Sequence, residues 1–422
     1  MTTSPTERNG WSGDGALTDM AASVPKAARK TSRLAGPAST AEQWPEFEAV
    51  AQPQLQGAAV RRLAGRRSNN GVGSSNSSSS ANIGNNPSKR RWPRVVLIVA
   101  AALVVVALLL VAFAACSISR GESSFEGLMA NAVIETGANA VSYDEGKTVY
   151  YNGHTYVLNE DMVSVLVIGI DRKESAAEDK PVQADAVIVV ALDKKTGQAT
   201  AISIPRDSMV EIGRYADGGY AGVETAQLCL SYGYGDGYET SCEYTTTAVS
   251  RTLYNMPINY YFTMDQAGIG PMNDAIGGVT LTPLQTIPKT QIVEGQETTL
   301  LGTDAYNYLR WRDKTVLTSS LDRQDRQIQY VKAFAKKTLG AAKSDPGLAL
   351  SLYNQVSSYS ITNMGMDEFS YLASVVMGGN ITGLDVISLP GEMVQGEKYA
   401  EFYLDKTAVY ETILDVYYTQ VD

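Results

Sequence analysis

The longest apolar run in the chain covers residues 95–115, which contain no charged or strongly polar side chain. At about 1.5 Å per residue, a helix of this length spans roughly the 30 Å hydrocarbon core of a bilayer. More than ninety residues precede the run and no small-residue cleavage pattern stands out, so it does not resemble a removable signal peptide. The pattern therefore predicts a transmembrane helix over residues 95–115.

Shorter apolar runs follow the long one, with two different periods. Four aliphatic runs are bounded by turn residues, namely 163–170, 186–192, 199–204 and 384–389. They lack the polar alternation of a half-exposed sheet, which indicates strands covered on both faces. Four other segments have apolar residues at helical spacing, namely 301–311, 322–339, 367–377 and 406–417. This mixture predicts an α/β fold, a three-layer α/β/α domain with a mixed central sheet.

The same pattern divides the chain into four parts. Residues 1–94 are rich in Ala, Gly, Ser and Asn and poor in aromatic side chains, so we expect a disordered arm that cannot offset the entropy of ordering. The transmembrane helix follows. Residues 116–160 are expected to form a juxtamembrane stalk and a β-hairpin, because Asn152-Gly153 between alternating apolar runs is a type I′ turn signal. Residues 161–422, without an internal repeat or long linker, predict one large domain.

Charge is distributed unevenly about the predicted transmembrane helix. Residues 1–94 contain 13 Lys and Arg against 6 Asp and Glu, whereas the rest of the chain contains 22 against 39. By the positive-inside bias, we expect the basic arm in the cytoplasm, one span of the cell membrane, and the acidic domain outside the membrane. A solvated tail that helps to set topology is the simpler interpretation of the arm, and contact with anionic lipid or a cytoplasmic partner is the alternative.

Several classes of catalytic site are excluded by composition. The chain has a single histidine, His154, so a Ser-His-Asp triad, a Cys-His dyad or a multi-histidine zinc site is not possible. No Walker loop occurs, and no Gly-x-Gly-x-x-Gly motif opens a helix after a strand. Carboxylates and arginines remain as the candidate chemical groups.

Two aspartates mark the ends of predicted strands. Asp171 follows the first buried strand and Asp185 precedes the second, which predicts that both lie at one edge of the sheet. Two neighbouring carboxylates are costly unless one is protonated or a cation bridges them. Such oxygen ligands suit Mg²⁺, which keeps several waters and completes its shell with phosphate oxygens. Two turn aspartates that cap backbone amides are the commoner alternative.

Several arginines accompany these carboxylates. Arg206 follows a buried strand, and Arg310 and Arg312 would point the same way if a helix ended near Leu309. Arg323 and Gln327 are four residues apart on the next helix and share a face, whereas Arg326 is predicted to turn away from the site. Because the guanidinium fork matches phosphate oxygens, the set indicates a site for a pyrophosphate-sized anion. Taken singly, each arginine is more often a surface salt bridge.

Two cysteines flank a loop rich in Tyr and Gly. Cys229 and Cys242 both follow the predicted membrane span, where thiols oxidise, and the intervening glycines favour closure of the loop. A disulfide between them is therefore predicted, with stabilisation of about 3 kcal/mol on the chain-entropy model. The alternative is a pair of small buried thiols that do not meet.

Six segments of the chain together carry a resemblance to a known family. They are Val165-Leu-Val-Ile-Gly-Ile-Asp-Arg172, Ala184-Asp-Ala186, Ser203-Ile-Pro-Arg-Asp-Ser208, Asp274-Ala-Ile-Gly-Gly-Val279, Leu301-Gly-Thr-Asp-Ala-Tyr-Asn-Tyr-Leu-Arg-Trp-Arg312 and Asp322-Arg-Gln-Asp-Arg-Gln327. Their order is that of the LytR-CpsA-Psr family, which the chain resembles from about Ser164 to its last helix. The short cytoplasmic region, single membrane helix and external catalytic domain are also family architecture. The combination of the Ile-Pro-Arg-Asp and Arg-x-Arg signatures carries most of the specificity.

The resemblance implies a Mg²⁺-assisted phosphotransferase. Such an enzyme takes a glycopolymer, such as teichoic acid or capsule, from a polyprenyl-pyrophosphate carrier held in an apolar tunnel and joins it to peptidoglycan, and pyrophosphatase activity could accompany the transfer. The resemblance assigns Asp171 and Asp185 to the metal, and assigns these residues to the pyrophosphate: Arg172, Arg206, Arg310, Arg312, Arg323 and Gln327. Asp171 and Arg206 are the expected catalytic residues, with Asp171 orienting or deprotonating the acceptor hydroxyl.

One departure from the family bears on the substrate. Many members have Arg-Ser-Asp where this chain has Gln183-Ala-Asp185, so one cationic contact is expected to be missing. Two functions from other classes stay open: a membrane-tethered module that binds glycopolymer without turnover, and an envelope sensor that signals through its basic arm. The aspartate and arginine set favours the enzyme, because binding a sugar polymer does not need metal-binding carboxylates.

Overall fold

The computed structural model describes residues 116–177, 180–216, 219–345, 347–379 and 383–422. The predicted arm, residues 1–94, and the predicted transmembrane helix, residues 95–115, lie outside these described residues. Within the described ranges, no helix combines the length and the apolar composition that a membrane span requires.

The described residues form strands and helices that alternate along the chain. The strands are β1 (Val141–Tyr143), β2 (Thr148–Tyr151), β3 (His154–Leu158), β4 (Met162–Ile170), β5 (Ala186–Asp193), β6 (Ala199–Ile204), β7 (Met209–Ala216), β8 (Gly219–Gln227), β9 (Tyr260–Asp265), β10 (Val279–Leu281), β11 (Thr298–Leu300), β12 (Ser360–Thr362), β13 (Asp385–Ser388), β14 (Gly391–Gln395), β15 (Ala400–Leu404) and β16 (Tyr418–Gln420). The helices are α1 (Arg172–Ala177), α2 (Leu230–Gly233), α3 (Glu239–Thr252), α4 (Ile269–Ala275), α5 (Thr303–Arg310), α6 (Ser319–Ser344), α7 (Gly347–Val356), α8 (Met366–Gly378) and α9 (Lys406–Tyr417). Short 3₁₀ turns cover Asp144–Gly146, Gln266–Gly268 and Ser357–Tyr359.

A six-stranded mixed sheet forms the centre of the fold, in the order β12-β9-β4-β5-β6-β13. Strand β4 is parallel to β9, and β13 is parallel to β6. Strand β5 runs antiparallel to both β4 and β6, and β12 is antiparallel to β9. The predicted α/β class with a mixed central sheet is confirmed.

Apolar side chains cover both faces of β4, which explains its continuous aliphatic sequence. Leu166 and Ile168 belong to the largest core cluster, together with Val249 of α3 and with residues of α9. Val163 points to the opposite face and packs in a separate cluster with Leu372 of α8. Helices therefore lie on both faces of the sheet, and its strand ends are the places where polar groups can gather.

The predicted hairpin is present as β2 and β3. Asn152 and Gly153 have φ values of 52° and 90°, the positive values that a type I′ turn requires. These strands belong to a four-stranded sheet in the order β1-β2-β3-β16, so the last strand pairs with the hairpin. A second hairpin, made by β7 and β8, follows β6 and leads the chain back towards Cys229.

Candidate functional site

The parallel strands of the central sheet end at one edge, and the predicted site residues follow these ends. Asp171 comes directly after β4, Arg206 lies two residues after the end of β6, and Asp265 is the last residue of β9. Asp185 precedes β5, whose register pairs Ala186 with Gly169 of β4, so it lies at the same edge. The backbone N–H of Asp185 donates to the carbonyl of Gly169 at 2.7 Å. In α/β folds this carboxyl-terminal edge is the usual place for a binding site.

Asp185 is the centre of a buried charge cluster. Its Oδ1 accepts hydrogen bonds from Nη1 of Arg206 and, at 3.3 Å, from Nη2 of Arg323. Burial opposes ionisation of Asp185, but the charges of Arg206 and Arg323 outweigh it and hold the pKa of this carboxyl below its usual value. Two guanidinium groups thus converge on one carboxylate, and Arg206 also lies near a second carboxylate, that of Asp207.

Arg206 is held by more than its ion pair with Asp185. Its Nη2 donates to Oε1 of Gln183 at 2.6 Å and to Sγ of Cys229 at 3.0 Å. Its Nε lies 3.4 Å from Oδ1 of Asp207 without hydrogen-bond geometry, and this buried N–H has no hydrogen-bond partner among the described residues. Gln183, where many family members have an arginine, thus supplies an acceptor that orients Arg206.

Asp171 pairs with an arginine from a distant helix. Asp171 is only 3% exposed, and its Oδ2 accepts from Nε of Arg310 at 3.2 Å. Arg310 is the last residue of α5, and its side chain is 35% exposed. Its guanidinium carbon also lies 5.7 Å from the centre of the Tyr306 ring.

Helix α6 contributes the other predicted contacts. Arg323 and Gln327 are one turn apart, and Gln327 donates to the carbonyl of Leu309 at 3.3 Å. Gln324 holds the helix on the sheet, because its Nε2 donates to Oγ of Ser203 at 2.7 Å. A small cavity of about 10 Å³ lies here, lined by residues that include Asp185, Ser203, Arg206, Gln324 and Gln327. Its volume suits about one water, so a pyrophosphate needs side chains to move apart.

Two predicted phosphate ligands have other surroundings. The guanidinium of Arg172 donates to the carbonyl of Gly237 at 2.7 Å, lies 3.5 Å from Asp265 Oδ2 and stacks on the Tyr238 ring at 4.6 Å. Arg172 is thus engaged away from Asp185. Arg312 is half-buried near Arg323 and has no ion pair within the described ranges.

The predicted disulfide is wrong in this structure, where both cysteines are free and buried. The intervening segment is not an open loop, because it contains α2 and the first turn of α3. The Cys229 thiol contacts Arg206, whereas the Cys242 thiol lies 3.3 Å from Oγ1 of Thr263 on the central sheet. Each sulfur thus has its own polar partner, and neither contacts the other.

Arg326 was predicted to turn away from the site, and its position is more consequential than that prediction suggests. It is fully buried, and its Nε donates to the carbonyl of Tyr308 at 2.9 Å. Its other nitrogens donate to the carbonyl of Trp311 and to Oε1 of Gln285. Arg326 thus contacts the backbone on both sides of Arg310, a role that helical spacing alone does not reveal.

Two carboxylates at this edge of the sheet are of the type that binds a metal ion. Asp171 and Asp185 bring two carboxylates to adjacent strand ends, which fits Mg²⁺ because this ion commonly takes one or two carboxylates plus water and phosphate oxygens. Within the residues that the structure describes, no cluster of three or more His, Cys, Asp or Glu forms a complete protein cage. The donor set therefore suits a metal that shares its shell with a phosphate ligand.

Comparison with known proteins identifies relatives of this chain. The model of the LytR_cpsA_psr family matches residues 129–414. A polyisoprenyl-teichoic acid–peptidoglycan teichoic acid transferase, TagU of Oceanobacillus iheyensis, is 26% identical over 273 residues, which cover 64% of this chain and 80% of that protein. TagU of Halalkalibacterium halodurans is 28% identical over 182 residues, 42% of this chain and about half (54%) of that protein.

Among solved structures, the crystal structure of B. subtilis TagV superimposes with a TM-score of 0.47 at 22% identity, over 61% of this chain and 96% of that one.

Proposed function

Because the chain belongs to the LytR-CpsA-Psr family, we propose that it is a phosphotransferase that moves an anionic glycopolymer from a polyprenyl-pyrophosphate carrier onto peptidoglycan. The relatives that match it are named as teichoic acid transferases, which makes teichoic acid the first polymer to test. The acceptor oxygen would bond to the phosphorus nearest the polymer, and polyprenyl phosphate would leave.

The arginine and aspartate cluster at the sheet edge is the observation that carries the proposal. Arg206 and Arg323 converge on one carboxylate, Asp185, and Arg310 approaches the neighbouring Asp171. Planar guanidinium groups bind phosphate oxygens in pairs, so this cluster suits a diphosphate better than a neutral sugar. Phosphoryl transfer depends mainly on positioning and on neutralising charge, which is what such a cluster supplies.

For pyrophosphate to bind, Arg206 and Arg323 must give up their contacts with Asp185. Asp185 occupies Arg206 and Arg323 in the structure, so an incoming pyrophosphate competes with the Asp185 carboxylate for the same N–H groups. Asp171 and Asp185 would hold Mg²⁺, which supplies partial neutralisation of the pyrophosphate charge when bound. Arg206 and Arg323 would release Asp185 and turn their guanidinium groups to phosphate oxygens.

Asp171 is the residue that we assign to the acceptor hydroxyl. It is buried, lies next to Asp185 at the sheet edge, and is held by Arg310 through Oδ2. Its carboxylate would orient the hydroxyl and take its proton as the new bond to phosphorus forms. Arg206 would stabilise the charge that develops on the transferred phosphoryl group.

A partly open apolar face offers room for the prenyl chain of the carrier. Val165 and Val167 of β4 share a sheet face with Phe262 of β9, and all three side chains are only half-buried. Val331 of α6 and Val376 of α8 are also half-buried. An open cleft of about 260 Å³ lies near β12, the edge strand of the sheet, and is lined in part by Phe262, Val356 and Ile361. A prenyl chain bound along this face would bury apolar surface that the protein alone leaves accessible.

In this proposal the protein is anchored in the cell membrane. Its catalytic part, residues 161–422, is a three-layer α/β/α domain on the outer side. The prediction of one span at residues 95–115 and a cytoplasmic arm at residues 1–94 rests on hydropathy and charge alone. This topology would hold the phosphate-binding edge beside the membrane that contains the carrier.

One experiment separates the transferase from the two alternatives without turnover. The full chain, reconstituted in lipid vesicles, is incubated with polyprenyl-pyrophosphate-linked teichoic acid and peptidoglycan, with and without Mg²⁺. Covalent transfer of labelled polymer that requires Mg²⁺ supports the proposal. Retention of polymer without a new covalent bond supports a binding module, and pyrophosphate hydrolysis without acceptor would reveal the side activity. If the chain neither binds nor transfers the donor, the envelope sensor is the hypothesis that remains.

A further inference from the structure

Arg326 is a fully buried cation that binds backbone rather than carboxylate. All three nitrogens of its guanidinium donate hydrogen bonds, to the carbonyls of Tyr308 and Trp311 and to the amide oxygen of Gln285. Its guanidinium carbon also lies 5.4 Å from the centre of the Trp311 ring. Within the described part of the chain it has no ion pair within 4 Å.

The two carbonyls bracket the first arginine of the Arg310-Trp-Arg312 segment. Helix α5 ends at Arg310, and Trp311 is extended, with φ −55° and ψ 141°. Carbonyls in the last turn of a helix lose their intrahelical partners and need other donors. Arg326 supplies such donors on both sides of Arg310, so it fixes the point where the helix stops and the direction in which the chain leaves it.

Stability alone is a poor explanation for this arrangement. A buried charge costs free energy, and apolar residues of similar volume are often as stabilising in the same place. What the guanidinium adds is geometry, because its planar donors hold three acceptors in fixed relative positions. Two of these acceptors, the carbonyls of Tyr308 and Trp311, belong to the segment that carries Arg310 and Arg312, two of the proposed phosphate ligands.

We infer that Arg326 is a positioning residue, which sets the placement of Arg310 and Arg312 for the pyrophosphate without contacting the ligand itself. The link from Arg326 to pyrophosphate binding rests on the proposed function. It assigns different tasks to two arginines of one helix: Arg323 faces Asp185, and Arg326 holds the backbone of the segment that carries Arg310 and Arg312.

The first test needs no ligand. Hydrogen exchange, measured by mass spectrometry on the full chain in detergent, is compared between the wild type and Arg326→Lys. A lysine has one ammonium group and cannot bond all three acceptors, so amides of residues 308–313 should exchange at least tenfold faster. Unchanged exchange in this segment would overturn the inference, whatever the protein's activity.

The second test measures binding of inorganic pyrophosphate with Mg²⁺ by calorimetry. Arg326→Lys should weaken binding by about tenfold, and its effect should be less than additive with that of Arg312→Lys, because part of its effect acts through Arg312. Fully additive effects would contradict positioning. If the wild type does not bind pyrophosphate while the exchange result holds, the proposed function fails and the structural role of Arg326 stands.

Tyr330→Phe is the matched control. Tyr330 lies one turn further along α6, is buried, and donates to Asn273 at 3.2 Å. Its loss should lower the melting temperature without changing pyrophosphate affinity, which separates positioning from general destabilisation. If Arg326→Lys does not fold, Gln285→Leu removes one of the three acceptors and leaves Arg326 in place. An unchanged exchange rate and an unchanged affinity in Gln285→Leu would then overturn the inference.

Discussion

Nε of Arg310 lies 3.2 Å from Oδ2 of Asp171, a contact that joins the end of strand β4 to the end of helix α5 across 139 positions of sequence. The proposed acceptor-activating carboxylate is thereby fixed by a proposed phosphate ligand. Changes at either residue should therefore affect both the orientation of the acceptor and the grip on the donor.

Asp171→Asn tests the first of these tasks. The amide keeps the size of the side chain but cannot accept a proton, so we expect the rate of polymer transfer to fall by about 10²- to 10⁴-fold. Donor binding should change much less. The measurement is a single-turnover assay with labelled donor, alongside calorimetric binding of pyrophosphate. A variant that transfers polymer at the wild-type rate would remove Asp171 from the catalytic step.

Asp185→Asn separates the metal from the arginines. Loss of the carboxylate should reduce Mg²⁺-dependent transfer by about 100-fold or more. Because Arg206 and Arg323 lose their shared counter-charge, pyrophosphate binding measured without Mg²⁺ should become tighter than in the wild type. Asp193→Asn, at the opposite end of the same strand, is the control and should change neither quantity. Wild-type Mg²⁺ dependence in Asp185→Asn would show that the metal assignment is wrong.

The same carboxylate should contribute a pH-dependent part of the stability. Its pKa in the folded protein is lower than the unfolded value of 3.8, because the neighbouring arginines outweigh burial. The stabilisation is therefore complete above about pH 4 and is lost as the pH falls through the lowered folded pKa. Denaturant titrations of the wild type and Asp185→Asn should show a difference in unfolding free energy that shrinks on acidification. A difference that grows as pH falls would reverse this assignment.

Arg312→Lys tests the planar fork. The lysine keeps the charge but loses the paired donors, so pyrophosphate affinity should fall by about tenfold, or about 1.4 kcal/mol. Arg214→Lys, at an exposed position of β7, is the matched control and should bind as the wild type does. Equal losses in the two variants would mean that general charge, rather than the fork of Arg312, attracts the anion.

The two buried thiols give a prediction that replaces the disulfide. Burial raises the pKa of Cys229 and of Cys242, so both thiols should stay protonated and react slowly with iodoacetamide at pH 8. After denaturation without reductant, both should react at once. Mass spectrometry of the exported, non-reduced protein checks this, and a mass two hydrogens short with no alkylation at either position would restore the disulfide.

Much of the framework could be predicted from residues alone. The aliphatic runs became β4, β5, β6 and β13 within a residue or two, because strands buried on both faces need continuous apolar sequence. The same logic placed Asp171 and Asp185 at one edge. The β7–β8 hairpin was not predicted, because β8 has no buried residue and β7 alternates buried and exposed positions only from Val210 to Ile212.

Side-chain partners were harder to predict than strands. Spacing on α6 correctly separated Arg323 from Arg326, but it could not tell that α5 would cover the second arginine and bury it. Arg172 follows Asp171 directly, yet as the first residue of α1 it directs its side chain towards Gly237 and Tyr238. Such contacts depend on segments far away in sequence, which local patterns do not encode.

That separation in sequence has a consequence for the order in which the protein becomes functional. The carboxylates come from strands β4 and β5, whereas Arg310 and Arg323 reach them from positions 139 and 138 residues away. Contacts between residues so far apart in sequence form late in folding, because other contacts must first offset the entropy cost of closing the long loop. A half-folded chain would thus pair Asp185 with Arg206 alone, and on the proposed function the pyrophosphate site would be completed only at the end of folding.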